Sequence, residues 1–159
     1  FNYRLPAISC ALGASQLTKL NYFVSARRKI AESYSTLLEN NCDVLLPDEN
    51  IEVTHAYHLY PVQMDFDEKR VSKNQLFQEL TTQGIKLQVH YIPIHTQPYY
   101  KKRFGSDWGD FPHAEQFFHR VVSLPVYVGL STENIRRVVD AISSTWTNLS
   151  APHWAERKG

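Results

Sequence analysis

Ala56-Tyr57-His58-Leu59-Tyr60-Pro61-Val62-Gln63-Met64, the run from Ser72 to Gly84, and Ile85-Lys86-Leu87-Gln88-Val89-His90-Tyr91 together decide the fold. In the first piece Tyr57, Leu59 and Pro61 alternate with His58, Tyr60 and Val62, a period of two that predicts a strand with sizeable side chains on both faces. Pro61 cannot donate to a ladder, which places that strand at a sheet edge or a bulge. Ser72 suits the start of a helix whose apolar side is Val71, Leu76, Phe77 and Leu80, and Gly84 suits its C-terminal stop. Ile85, Leu87 and Val89 then alternate with Lys86, Gln88 and His90, as in a half-buried strand. Strand, helix and strand at this spacing fit a right-handed crossover.

Upstream, Leu17, Leu20, Phe23, Ala26, Ile30, Tyr34, Leu37 and Leu38 recur at three- and four-residue steps, predicting one long helix that ends near Asn40-Asn41. Downstream, Pro93 to Phe111 reads as a long loop, and Tyr99, Tyr100, Phe104 and Trp108 argue that it is ordered. A helix starts at Phe111-Pro112, with Ala114, Phe117, Phe118 and Val121 on one side. Val122 to Val128, interrupted by Pro125, reads as an edge strand or extended approach. Ser131 caps a last helix with the stripe Ile135, Val138, Val139 and Ile142, and beyond Trp146 the pattern fades into a tail. The fold class is therefore α+β: a small sheet with packed helices and a long leading helix. Its organisation is a connecting segment with that helix over 1–40, a small domain over 41–145 and a tail over 146–159.

A chain of 159 residues buries enough surface to need no staple. Its formal charge of +1 gives no field for nucleic acid, and no apolar run is long enough to span a bilayer. Arg27-Arg28-Lys29 reads as a solvated helix face, and Lys101-Lys102-Arg103 as a loop run able to meet phosphate. Two cysteines, Cys10 and Cys42, define neither a disulfide framework nor a metal site, so a reducing cytoplasm is the expected setting. The sequence opens on Phe1-Asn2-Tyr3-Arg4 without a methionine, as the middle of a longer protein would.

The densest polar and aromatic cluster is His90-Tyr91-Ile92-Pro93-Ile94-His95-Thr96-Gln97-Pro98-Tyr99-Tyr100, at a predicted strand end. Prolines restrict the chain there, so His90 and His95 can be held toward a cleft; ordinary hydrogen bonding explains the two rings equally well. His55 and His58 point to opposite faces of an extended segment, and no zinc spacing, GxSxG elbow or phosphate loop is present. No metal is expected. At the start, Asn2 can donate through its amide and Arg4 can offer a forked cation to a phosphate or carboxylate.

Phe1-Asn2-Tyr3-Arg4-Leu5, Ala11-Leu12-Gly13, Ser15-Gln16-Leu17, Ala56-Tyr57-His58-Leu59-Tyr60, Gly84-Ile85, Gln88 to His95, Gln97-Pro98-Tyr99-Tyr100 and Ser123-Leu124-Pro125, in that order, resemble the DegT/DnrJ/StrS sugar aminotransferases. The likeness runs from Phe1 to about Ser144. It implies the small C-terminal domain of a fold-type I transferase dependent on pyridoxal 5'-phosphate, with an upstream large domain and a homodimer partner. It also implies a two-stage amino transfer from a donor, usually glutamate, to a nucleotide-linked 4-keto-6-deoxy sugar.

By resemblance, Asn2 and Arg4 approach the cofactor phosphate of the neighbouring subunit, whereas His90, Tyr91 and His95 meet the sugar nucleotide. Tyr57 and His58 are implied to pack behind them. None of Lys19, Lys29, Lys69, Lys73 or Lys86 lies in a serine-rich lysine loop, so the catalytic lysine is expected upstream of Phe1 and no catalytic residue is assigned here. Pro6, Ala7, Ser9 and Cys10 depart from the family pattern, removing an acidic partner for Arg4. The rival expectation is a stand-alone nucleotide-sugar-binding or regulatory domain.

Overall fold

The computed structural model describes residues 3–50 and 52–151; Phe1, Asn2 and most of the expected tail lie outside them. In chain order the elements are α1 (Ala7–Leu17), α2 (Leu20–Leu38), β1 (Val44–Leu45), β2 (Tyr60–Met64), α3 (Phe66–Lys69), α4 (Lys73–Thr82), α5 (Pro98–Phe104), α6 (Pro112–Arg120), β3 (Val121–Leu124) and α7 (Thr132–Ser150). The sheet is antiparallel in the order β1-β2-β3, with Val44 opposite Met64 and Val62 opposite Val122. This confirms the small mixed α+β architecture.

The core forms where the stripes meet. Tyr60, Val62 and Met64 of β2 are buried with Tyr34 and Leu38 of α2, Leu76 and Leu80 of α4, and Ile135 and Ile142 of α7. Helix α7 packs against both α2 and α4, and the Ser131 hydroxyl accepts from the Asn134 N–H to start it. It continues to Ser150, past the fading of its stripe, because Trp146 is buried edge-on against Phe66. Helix α4 ends as its glycine predicts. Gly84 takes a φ of +77°, the Gly84 N–H donates to the Thr81 carbonyl, and the Ile85 N–H donates to the Leu80 carbonyl, closing a Schellman motif.

Four expectations are corrected. The long leading helix forms as α2, but it starts at Leu20 and leaves Leu17 in α1, because the Thr18 hydroxyl donates to the Ser15 carbonyl at 2.8 Å and the Lys19 N–H turns to Gln16. The apolar stripe also loses its partner toward the N-terminus: Leu17 is 66% exposed, whereas Ile30, Tyr34 and Leu38 are buried. The strand expected from Ala56 starts only at Tyr60, since Tyr57 adopts a φ of +45° and its N–H donates to His55 Nδ1 at 3.0 Å. The span from Pro93 to Phe111 is mostly short helix, a 3₁₀ turn at Ile94–Thr96 followed by α5, which places Lys101, Lys102 and Arg103 on a helix.

The fourth correction concerns the strands themselves. Ile85 to Tyr91 keeps its alternation, with Ile85 and Leu87 buried and Lys86 and Gln88 exposed, yet pairs at one bridge only, Gln88 to Ser123. That bridge and β2 both run antiparallel to β3, so the segment runs parallel to β2 across it. Strand β3 is the edge of the three-stranded sheet, as its sequence suggests, but the bridge covers that edge at Ser123 and all four of its residues are buried. Pro61 is tolerated in the middle strand for a related reason. It stands opposite Ser123, whose N–H and carbonyl both bond Gln88 on the far side, and β1 reaches only Gln63 and Met64. No ladder bond is lost.

Leu80→Ala is expected to lower stability by about 2–5 kcal/mol through transfer and cavity terms. Ile8→Ala, on exposed α1, is expected to change the isolated chain by less than about 0.5 kcal/mol. Urea denaturation of the two variants checks both values.

Candidate functional site

The Gln88–Ser123 bridge sets the approach to the site, because His90 follows it by one pleat. His90 Nδ1 lies 2.9 Å from the Ser123 hydroxyl oxygen. Ser123 is buried on β3, and its hydroxyl can donate or accept, so it fixes the ring's position in either neutral tautomer. The ring lines a cavity of about 330 Å³ with His58, Lys86, Gln88 and Tyr127. The His90–Tyr91 peptide bond is cis. Tyr91 is 69% exposed and meets the His90 ring edge-on, with centroids 4.6 Å apart.

His95 is held by different partners. Its Nε2 lies 2.8 Å from Glu115 Oε1, with 10% of the histidine side chain and 12% of the glutamate side chain exposed. Glu115 also accepts the Gly109 N–H on both oxygens, at 2.8 and 2.9 Å, and the Phe111 N–H at 3.2 Å. The bond to Phe111 returns from the fourth residue of α6 to the residue that caps it, one position beyond the spacing of a capping box. Burial acts to raise the Glu115 pKa, but the Gly109 N–H, the His95 ring and the Phe111 N–H outweigh it and hold the carboxyl below its ordinary value.

The Ser106 hydroxyl ties the His95 carbonyl at 2.8 Å, and the Phe111 ring centroid lies 4.8 Å from the imidazole. His95 faces an apolar cavity of about 470 Å³ with Pro93, Ile94, Tyr100, Phe104 and Phe111. The two histidines therefore serve two cavities, and Tyr91 lines neither of these. Both rings are hydrogen-bonded and both border a cavity.

Arg4 is exposed on the extended approach to α1, and Asn2 lies outside the described residues. Tyr57 is buried and packs near Tyr60 with ring centroids 6.0 Å apart, while His58 is exposed and lines the His90 cavity. Arg28, read as a solvated residue, instead donates to Glu49 at 3.3 Å and to the His55 carbonyl at 3.2 Å, tying the loop before β2 to α2. Lys101 pairs with Asp107, and Arg103 lies over Phe104 at 5.5 Å. Among the described residues no group of three His, Cys, Asp or Glu comes together as metal ligands would, and no helix is long and apolar enough to cross a membrane.

Sequence reasoning missed Ser123, Glu115 and Lys73. Glu115 had a signal, since an acidic residue in the first turn after Phe111-Pro112 is a helix-start pattern. Ser123 and Lys73 act across 33 and 45 residues of chain, and no local pattern marks those contacts, although Ser123 stands in one of the motifs of the resemblance.

A three-stranded antiparallel sheet backed by α2, α4 and α7 is the architecture of the small domain of fold-type I transferases. The chain belongs to the DegT/DnrJ/EryC1/StrS aminotransferase family, whose model matches residues 1–143. It is 34% identical over 142 residues to the uncharacterized protein MJ1066 of Methanocaldococcus jannaschii, covering 89% of this chain and 37% of that protein. It is 33% identical over 136 residues to the spore coat polysaccharide biosynthesis protein SpsC of Bacillus subtilis, covering 85% and 35%. The structure of PseC from Helicobacter pylori, an aminotransferase involved in the biosynthesis of pseudoaminic acid, superposes with a TM-score of 0.82 at 28% identity, over 93% of this chain and 39% of that one. The chain thus spans little more than a third of each of these relatives.

Because the Glu115 pKa is depressed from 4.5, its stabilising effect is complete above pH 4.5 and is lost as the pH falls through the folded value. Near-UV circular dichroism of the aromatic loop is expected to change below pH 4.5, and Glu115→Gln is expected to remove that step. A step centred above 4.5 would contradict the sign.

Proposed function

We propose that this chain is the small-domain part of a pyridoxal 5'-phosphate-dependent enzyme that moves an amino group, with glutamate as donor, onto a nucleotide-linked 4-keto-6-deoxy sugar for surface-sugar synthesis. The particular activity we favour is that of UDP-4-amino-4,6-dideoxy-N-acetyl-beta-L-altrosamine transaminase, in pseudaminic acid formation. The observation that carries this reading is the superposition on PseC over 93% of the chain.

Pyridoxal phosphate, when bound, supplies the electron sink for breaking and making the C–N and C–H bonds. Of the groups it needs, the described residues offer one that fits, the Arg4 guanidinium, whose planar fork suits a phosphate. The residues lining the His90 cavity include no carboxylate to face a pyridine nitrogen. That group and the lysine are assigned to an upstream large domain, with Asn2 and Arg4 reaching the cofactor phosphate across a homodimer interface. Exposed Leu5, Ile8, Leu12, Leu17 and Leu20 on the approach, α1 and the start of α2 support such a partner surface.

On the sugar-nucleotide side, His90 has Nδ1 engaged by Ser123, which leaves Nε2 for a sugar or phosphate oxygen. Tyr91 offers an exposed phenol beside it. His95 borders the apolar cavity. These residues orient a substrate and exclude water from it; none is given a proton-transfer step.

In the full-length protein, His90→Ala and His95→Ala are expected to raise the KM for a UDP-linked 4-keto sugar about tenfold with the cofactor absorbance unchanged. Arg4→Ala is expected to weaken retention of pyridoxal phosphate. Unchanged sugar KM in both histidine variants would overturn the site, and tight UDP-sugar binding by this chain alone as a monomer would favour the binding-domain alternative.

A further inference from the structure

Helix α6 carries Glu115 and yet buries no residue of its own; Phe117 is 40% exposed. Besides its run into β3 and the half-buried Phe118 ring against Trp108, its position is set by polar ties. At one end Glu115 gathers His95, Gly109 and Phe111. At the other, Lys73 on the first turn of α4 reaches across and donates to the Phe118 carbonyl at 2.9 Å and the His119 carbonyl at 3.2 Å. These are C-terminal carbonyls of α6 that have no partner within the helix, and a cation there also meets the negative end of its dipole. The ammonium sits between the Phe66 and Phe118 rings, 5.4 and 5.5 Å from their centroids. Burial lowers its pKa to about 8, and the Arg120–Asp65 pair provides a third tie at the same end of the helix.

We propose that Lys73 is a positioning residue for the substrate loop: by capping the C-terminus of α6 it holds Glu115 in register, and through Glu115 the His95 ring. The effect on ligand binding rests on the proposed role of His95 toward a nucleotide sugar; the effect on the ring itself does not. Lys73 touches neither cavity wall and has no part in bond making. The His90 ring, fixed from β3 by Ser123, lies outside this chain of contacts and serves as the internal control.

The test uses the full-length protein with ¹⁵N-labelled histidine, comparing wild type, Lys73→Met and Lys73→Arg by ring-nitrogen NMR, with UDP as the probe ligand in calorimetry. Lys73→Met is expected to shift the His95 ring resonances, leave those of His90 in place, and weaken UDP binding about tenfold, whereas Lys73→Arg keeps both near wild type. Lys73→Leu, which also removes the donor, is read in the same way if the methionine variant does not fold. An unmoved His95, or equal shifts at His95 and His90, would overturn the proposal. Selective displacement of His95 in a protein that does not bind UDP would uphold Lys73 as a positioning residue while removing the nucleotide-sugar reading.

Discussion

Ser123 is the residue on which both the sheet and the site depend. Its backbone exchanges two hydrogen bonds with Gln88, at 2.8 and 3.3 Å, and its hydroxyl meets His90 two residues further on. The same backbone direction leaves Pro61 opposite it without a lost bond, so a proline sits in the middle strand at no cost to the ladder. A single buried serine therefore connects the sheet, the returning segment and the ring that borders the cavity. Because Ser123 is buried, an unmade bond there would cost about 1–3 kcal/mol, which favours one arrangement over nearby registers.

The second half of the site is built on a different economy. His95 and Glu115 lie on segments with little apolar burial, a 3₁₀ turn and a helix with no buried residue. Hydrogen bonds to one carboxylate take the place of a core, with two backbone N–H groups and an imidazole converging on it. Such a cluster is rigid only while every member is paired, and it responds to protonation in a way the hydrophobic core does not. The His90 side is tied to the sheet and the His95 side to a helix end, which lets the two cavities respond separately to change.

Much of the fold was legible because its signals are local. Gly84 ended α4, Ser131 began α7, and the stripes of Tyr34, Leu38, Leu76, Leu80, Ile135 and Ile142 became the core. The failures have physical causes of the same scale. Thr18 interrupts a continuous stripe with its own hydroxyl, His55 pulls Tyr57 out of an extended run, and Ile85 to Tyr91 meets the sheet at Gln88 alone. At the site, the histidine cluster was visible and its supports were not: Ser123 and Lys73 act over long separations. Family membership follows from residues 1–143.

The most direct measurement is hydrogen–deuterium exchange on the full-length protein with and without a UDP-linked sugar. Slower exchange on binding is expected over residues 88–96 and at Gly109 and Phe111, whose N–H groups serve Glu115, with the α4 and α7 core unchanged. Protection confined to other parts of the protein, with 88–96 exchanging at the same rate in both states, would contradict the placement of the sugar nucleotide against the strand end that Ser123 holds.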